Sequence, residues 1–130
     1  VDAPLSKPGD GAFRDFEREL IARGFRLLPL TLSSMSKLAD LGSKLRRELE
    51  SIGVTVYETH PKTARALMGL SEEELVKVMS KYTFCSPPKS RDDLDALTCL
   101  AVGLLHIRGL TEVIEDSGVT FLLPLPESVP

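Results

Sequence analysis

The segment that most constrains the fold of this chain is residues 92–108, which form a stretch apolar on nearly every helical face. Its aliphatic positions are Leu94, Ala96, Leu97, Leu100, Ala101, Leu104, Leu105 and Ile107. A helix that is apolar all round has to be covered by other elements on several sides. We therefore expect this helix inside a layered domain, with Leu97, Leu100, Ala101 and Leu104 in the main core.

Helical and strand-like segments alternate along the rest of the chain. Apolar periodicity and stop signals predict helices over residues 12–23, 34–52, 60–68 and 71–82. Runs of β-formers predict strands at residues 1–3, 54–58 and 119–123, and an edge strand or extended segment at 25–30. This alternation favours an α/β fold, with a mostly parallel sheet flanked by helices in one domain over residues 1–130.

The clearest amphipathic pattern lies in residues 34–52. Its apolar positions recur at steps of three and four, and they are Leu38, Leu41, Leu45, Leu49 and Ile52. Such a stripe predicts one buried helix face. Gly42 interrupts the helix at a cost of about 1 kcal/mol relative to alanine, which indicates close packing at that point.

Composition limits the classes of function. The formal net charge is −3, so affinity for nucleic acid would have to come from a local basic patch. No apolar run approaches the roughly 20 residues that span a bilayer, and the first residues lack the basic and apolar regions of a signal peptide. Cys85 and Cys99 form no CxxC pair. We expect a reduced, cytoplasmic protein without a membrane partner, while pairing of the two cysteines stays open.

Carboxylates mark three places where the chain should leave a strand or enter a helix. Asp2 and Glu58 each follow β-formers and stand shortly before a proline, and Asp95 lies in the first turn of the long apolar helix. Open α/β sheets bind ligands at the carboxyl ends of their strands, and carboxylate oxygens are the ligands that hard divalent cations prefer. We therefore expect Asp2, Glu58 and Asp95 to cluster around one or two such cations.

Each of these residues also has a purely structural interpretation. Asp2 and Glu58 are typical of exposed strand ends, and acidic residues such as Asp92 and Asp93 cap helix amides and oppose the helix dipole. Asp95 precedes buried positions, so it needs a cation or a Lys or Arg partner.

The basic and imidazole side chains leave similar alternatives. Arg14 and Arg18 share a helix face and could hold phosphates, but pairing with Asp15, Glu17 and Glu19 is at least as common an outcome. His60 has a plausible catalytic role, although a helix-entry residue is the more frequent case. His106 is typical of a core or helix-end histidine.

Five short motifs occur in order along the chain. They are Val-Asp-Ala-Pro-Leu at 1–5, Arg-Asp-Phe-Glu-Arg-Glu-Leu at 14–20 followed by Gly24, Glu-Thr-His-Pro at 58–61, Asp-Asp-Leu-Asp-Ala-Leu at 92–97, and Phe-Leu-Leu-Pro at 121–124. In this order they resemble a family of predicted nucleases with the ribonuclease H-like fold, long carried as a domain of unknown function. The resemblance spans nearly the whole chain.

The resemblance implies metal-dependent phosphodiester hydrolysis of nucleic acid. Asp2, Glu58 and Asp95 would be the catalytic and metal-binding carboxylates, with Mg²⁺ or Mn²⁺ as cofactor, and Arg14 and Arg18 would contact substrate phosphates. The family's first strands have no counterpart before Val1, so a ribonuclease H-like domain truncated at its N-terminus is expected.

The alternative is a non-catalytic α/β domain that keeps this scaffold and acts through self-assembly or binding. An N-terminal strand without neighbours exposes unpaired backbone groups, which favours pairing with another chain. We therefore expect a homodimer whose interface involves that strand or the helix after it.

Overall fold

The computed structural model describes residues 1–82 and 87–130, and in these residues the chain has an α/β fold. The elements in chain order are α1 (Asp15–Ala22), α2 (Ser33–Ser51), α3 (Pro61–Met68), α4 (Glu72–Met79), α5 (Arg91–Ile107), β1 (Thr111–Asp116) and β2 (Val119–Pro124). All five helices coincide with predicted ones, within a few residues at their ends. Cys85 and part of the predicted loop from residue 84 lie outside the described residues.

Local capping chemistry sets where the helices begin and end. Ser71 and Glu74 form the predicted capping box of α4, with Glu74 N donating to Ser71 Oγ at 3.2 Å and Ser71 N donating to Glu74 Oε2 at 2.8 Å. Helix α5 begins with the same device, in which Ser90 is the cap and Asp93 its partner. The prediction that Asp92 or Asp93 is itself the cap was therefore wrong by two or three positions.

The sheet differs from the predicted one. In the described residues it has two strands, β1 and β2, joined by Ser117 and Gly118, whose φ values of 53° and 73° fit a type I′ hairpin turn and make the strands antiparallel. Strand β1 was not predicted. Residues 54–58 contribute one isolated parallel bridge, from Glu58 to Phe121, instead of a full strand.

The other predicted strands also lack ladder pairing. Residues 1–3 form no strand, and residues 25–30, which were predicted as an edge strand or an extended segment, form none either. Pro4 and Pro29 have no backbone N–H to donate, so neither segment can continue a ladder through its proline. No parallel sheet is present in the described residues.

The chain separates into two compact units. The α3–α5 unit comprises Val1–Asp2, Thr59–Val113 and Leu122–Pro130, and the α1–α2 unit comprises Ala3–Glu58 and Ile114–Phe121. The prediction of one domain over residues 1–130 stays a prediction.

Each unit has its own apolar core. In the α3–α5 unit, α3 and α4 pack against α5. Its fully buried side chains include Met68, Leu75, Met79, Val102, Leu105 and Leu123. In the α1–α2 unit the core includes Leu5, Phe16, Leu20, Leu30, Val56 and Phe121, and the Phe16 and Phe121 ring centroids are 4.6 Å apart.

The predicted buried stripe of α2 is wrong. Leu41 and Ile52 are 63% and 74% exposed, Leu38 and Leu45 are also exposed, and Leu49 is half-buried. The buried residues of α2 are Ala39 and Gly42. A Cβ on Gly42 would lie 2.5 Å from the Pro4 carbonyl oxygen, which confirms the predicted close packing at this glycine. The small residues of α2 face the rest of the α1–α2 unit because they let the backbones of α2 and residues 3–4 approach closely. The leucines lie on another side of the helix and are therefore exposed.

The expected core positions of α5 are confirmed only in part. Ala101 is fully buried, but Leu100 is 45% exposed, and Leu97 and Leu104 are half-buried. The deepest face of α5 carries Leu94, Thr98, Ala101, Val102 and Leu105. Among the helices in the described residues, none combines the length and hydropathy that crossing a membrane requires.

Candidate functional site

Glu58 is held by Arg14 in the interior of the α1–α2 unit. The two side chains are buried, and the guanidinium binds the carboxylate with both of its terminal nitrogens: Arg14 Nη1 donates to Glu58 Oε2 at 2.8 Å and Nη2 donates to Oε1 at 2.6 Å. This paired geometry is the strongest form of ion pair available to a carboxylate. The contact therefore occupies both oxygens of a predicted metal ligand and most of a predicted phosphate-binding arginine.

The same cluster joins the first motif to helix α1. Leu5 N donates to Glu58 Oε2 at 2.9 Å, and Arg14 Nη2 donates to Glu17 Oε1 at 2.7 Å. The Arg14 guanidinium carbon also lies 4.5 Å from the centroid of the Phe16 ring. Within the described residues, Arg14 Nε is a buried nitrogen with no hydrogen-bond partner. One guanidinium thus faces two buried carboxylates, those of Glu17 and Glu58.

Burial and charge act against each other in this cluster. Burial raises the pKa of Glu58 above its ordinary value and outweighs the Arg14 and Leu5 hydrogen bonds that lower it, while the nearby Glu17 raises it further. Burial by itself would lower the pKa of Arg14, but the hydrogen bonds and charges of Glu58 and Glu17 raise it overall. Arg14 therefore stays charged, and Glu58 is the group of this pair whose protonation can change.

In the α3–α5 unit, Asp95 is paired with Arg65. Arg65 Nη1 donates to Asp95 Oδ1 at 2.6 Å and to Thr98 Oγ1 at 2.8 Å, and Thr98 Oγ1 donates to the Leu94 carbonyl at 2.8 Å. The side chain of Asp95 is 22% exposed and that of Arg65 is 9% exposed. Asp95 therefore has the arginine partner that its burial required, and solvent still reaches it. Sequence reasoning missed Arg65, whose signal was a charge between the two alanines Ala64 and Ala66 of α3.

Asp2 lies in the same unit. Thr59 N donates to the Val1 carbonyl at 3.0 Å, so the first motif runs beside the Thr59 end of the third motif. Burial raises the pKa of the Cys99 thiol, and Asp2 and Asp95 both raise it further, whereas Arg65 lowers it. Two of the three predicted carboxylates, Asp2 and Asp95, therefore belong to the same unit. Cys99 carries a free thiol.

The remaining candidates have local partners. Arg18 Nη1 donates to Asp15 Oδ1 at 2.6 Å, and both side chains are exposed, as in the structural interpretation of the arginine helix. His60 stands before α3, with Nδ1 2.7 Å from Thr63 Oγ1. His106 Nδ1 lies 2.9 Å from Thr111 Oγ1, as expected for a helix-end histidine.

The three acidic residues at the start of α5 have different roles. Asp93 accepts from the backbone N–H groups of Lys89 and Ser90 at 3.0 and 3.1 Å, and the Lys89 bond above all lowers its pKa. Asp92 is exposed. Asp95 is thus the acidic residue of this run that faces other side chains of the unit.

In residues 1–82 and 87–130, no three His, Cys, Asp or Glu side chains form a group that could hold a metal ion. The clustering of Asp2, Glu58 and Asp95 around shared cations stays a prediction.

Comparisons with family models, with curated proteins and with solved structures gave no match to this chain.

Proposed function

We propose that this chain is a ribonuclease H-like domain for metal-dependent phosphodiester hydrolysis, in which Asp2 and Asp95 hold a Mg²⁺ or Mn²⁺ ion. The observation that supports it is the position of these two carboxylates. They come from the first and fourth motifs of the chain, yet both belong to the α3–α5 unit, and the charge of each contributes to the raised pKa of the Cys99 thiol.

The donor set fits a hard cation of this size. Mg²⁺ in phosphoryl-transfer sites is commonly held by one or two protein carboxylates, with water and substrate phosphates completing its shell. Asp2 is exposed and Asp95 is partly exposed, so both are accessible to a hydrated ion. A bound ion would supply a polarised water and charge stabilisation at the phosphoryl group.

The chain's own residues have separate parts in this proposal. Arg65 positions Asp95, because its bond to Oδ1 and its second bond to Thr98 fix the carboxylate on α5. Glu58 anchors the first motif through Leu5 N, and Arg14 binds both of its carboxylate oxygens. Arg18 is the exposed member of the arginine pair and is the one accessible to a nucleic-acid phosphate.

Cation binding tests the proposal directly. Mg²⁺ or Mn²⁺ should raise the melting temperature, since a ligand at 100 times its dissociation constant adds about 2.7 kcal/mol to the free energy of unfolding. Asp2→Asn and Asp95→Asn should abolish this increase and any cation-dependent cleavage of labelled single- and double-stranded DNA and RNA. Asp92→Asn is the matched control, because Asp92 is an exposed aspartate of α5. This variant should leave the rise in melting temperature and any cleavage unchanged. A cation effect that survives in Asp95→Asn would contradict the assignment.

A non-catalytic domain acting through assembly is the second candidate, and a different observation favours it. The buried Arg14–Glu58 pair occupies a predicted metal ligand, while α2 exposes a row of large apolar side chains. Absence of cation-dependent stabilisation, together with self-association, would favour this candidate.

A further inference from the structure

Helix α2 carries an exposed row of aliphatic side chains along its length. We call Leu38, Leu41 and Leu45, together with Ile52 at the C-cap position just after the helix, the leucine face, and their exposed fractions are 37%, 63%, 42% and 74%. The steps from Leu38 to Leu41 and Leu45 are three and four residues, which is the spacing of a coiled-coil seam, and Ile52 follows Leu45 by one heptad. The helix has 19 residues and so extends about 28 Å. Exposed apolar patches on soluble proteins often mark interaction sites.

The leucine face lies beside the side of α2 that the chain's own α1–α2 unit covers. That unit covers the Ala39 and Gly42 side of the helix, where the Pro4 carbonyl approaches Gly42. On a helical wheel this side is about a quarter-turn from the leucine face, at roughly 100° per residue. One edge of the leucine face is therefore occupied by the chain itself, and the other edge is open.

The open edge carries two opposite charges. Lys44 follows Leu41 by three residues and Glu48 follows Leu45 by three, so both lie on the same edge. Their contact within the helix is long, 3.9 Å, and the side chains are 68% and 63% exposed. An exposed pair of this kind contributes little to stability, so each charge can exchange its partner at small cost.

We propose that the leucine face docks on the leucine face of a second copy of this chain, with the two α2 helices antiparallel. In an antiparallel pair related by a two-fold axis, like edges meet, and with the axis beside residue 46 Lys44 of each copy faces the partner's Glu48. Charges that flank an apolar seam set the orientation of paired helices in this way. A parallel pair would place the Lys44 edge against the partner's Ala39 and Gly42 edge, which its own chain covers. This interface is independent of the phosphodiester chemistry proposed above.

The mass of the protein in solution tests the pairing. The unmodified chain should sediment as a dimer at high micromolar concentration, and Leu41→Glu should make it monomeric because a carboxylate would be buried in the seam. Ile107→Glu is the matched control, since Ile107 is 83% exposed in the α3–α5 unit and lies outside the leucine face. The Ile107→Glu variant should remain a dimer, and circular dichroism should show that both variants are folded. A monomeric unmodified chain, or a dimeric Leu41→Glu variant, would overturn the proposal.

A charge-exchange experiment tests the orientation. Lys44→Glu and Glu48→Lys each place like charges at both edge contacts, so each variant alone should dimerise at least tenfold more weakly. Mixing the two should restore a heterodimer, because each glutamate of one chain then faces a lysine of the other. The repulsion between positions 44 and 48 within each helix persists in the mixture, so recovery can come only from contacts between chains. A mixture that stays monomeric would exclude the antiparallel pairing.

Discussion

Arg14 is the residue on which the α1–α2 unit depends most for its internal electrostatics. It forms ion pairs with two buried carboxylates, since Glu17 and Glu58 are 6% and 4% exposed. Removing one partner of a buried ion pair leaves an uncompensated charge, which costs about 3–5 kcal/mol. We expect Arg14→Met to lower the free energy of unfolding by about that amount in urea denaturation. Arg18→Met removes an exposed ion pair in α1 and should change the free energy of unfolding by no more than about 1 kcal/mol. Equal losses in the two variants would show that the cluster is not a stabilising centre.

The protonation of Glu58 should make stability depend on pH. Its folded pKa is raised, chiefly by burial, so the folded chain binds the proton more tightly than the unfolded chain does. The resulting stability is fully present below the unfolded pKa and is lost as the pH rises through the folded pKa. Glu58→Gln removes this titration while keeping the shape of the side chain. The difference in unfolding free energy between the unmodified chain and Glu58→Gln should therefore decrease with rising pH in that window. An increasing difference would mean that Arg14 dominates over burial.

At the scale of single residues, the sequence could predict that a partly buried carboxylate needs a partner. A half-buried Asp95 had to meet a cation or a basic group, and it meets Arg65. The identity of that group could not be read from the sequence, because it depends on how α3 packs against α5. The same holds for Glu58, whose strand-end position was visible while its pairing with Arg14 was not.

Among the elements, α2 shows where periodicity is informative and where it is not. The spacing of its leucines predicted a helix with an apolar side, and the helix is present over Ser33–Ser51. Periodicity alone does not say whether that side faces the chain's own core or a partner. The buried side is marked only by two small residues, Ala39 and Gly42, which give a weak signal in any hydropathy pattern.

Gly42 offers a test of this packing at the scale of the helix. Alanine is favoured over glycine in a helix by about 1 kcal/mol, but a Cβ at position 42 would lie 2.5 Å from the Pro4 carbonyl oxygen. Forcing extra volume into such a contact costs about 1–3 kcal/mol, so we expect Gly42→Ala to lower the free energy of unfolding. Gly103→Ala in α5 is the matched control, because a Cβ there meets nothing within 4 Å, and it should be stabilising. A stabilising Gly42→Ala in thermal denaturation would mean that α2 and residues 3–4 are not in close contact.

For the strands, the local signals were of uneven strength. The hairpin turn at Ser117 and Gly118 was available as a Ser-Gly pair between two β-branched stretches, and it would have identified β1. The charges at Glu112, Glu115 and Asp116 obscured the apolar alternation of that strand. The predicted parallel sheet needed strand pairing by residues 1–3 and 54–58, but residues 1–3 form no strand and residues 54–58 contribute a single bridge.

At the scale of the whole molecule, the chain passes between its two compact units several times. The boundaries fall after Asp2, Glu58, Val113 and Phe121, so β1 and β2 each contribute residues to both units. If one unit unfolded alone, the part of the β1–β2 hairpin in that unit would lose its ladder hydrogen bonds. We therefore expect the units to unfold together, as one cooperative domain.

The two tyrosines of the chain can report on this separately, since there is no tryptophan and each unit holds one tyrosine. Tyr82→Phe leaves Tyr57 as the fluorophore of the α1–α2 unit, and Tyr57→Phe leaves Tyr82 for the α3–α5 unit. In urea, each variant should show a fluorescence transition that coincides with its own transition by circular dichroism. Adding Leu105→Ala, at a fully buried position of the α3–α5 unit, should cost about 2–5 kcal/mol and shift the Tyr57 transition as much as the Tyr82 transition. A Tyr57 transition unaffected by Leu105→Ala would show two independently folding units, because a defect confined to one cooperative unit lowers only that unit's midpoint.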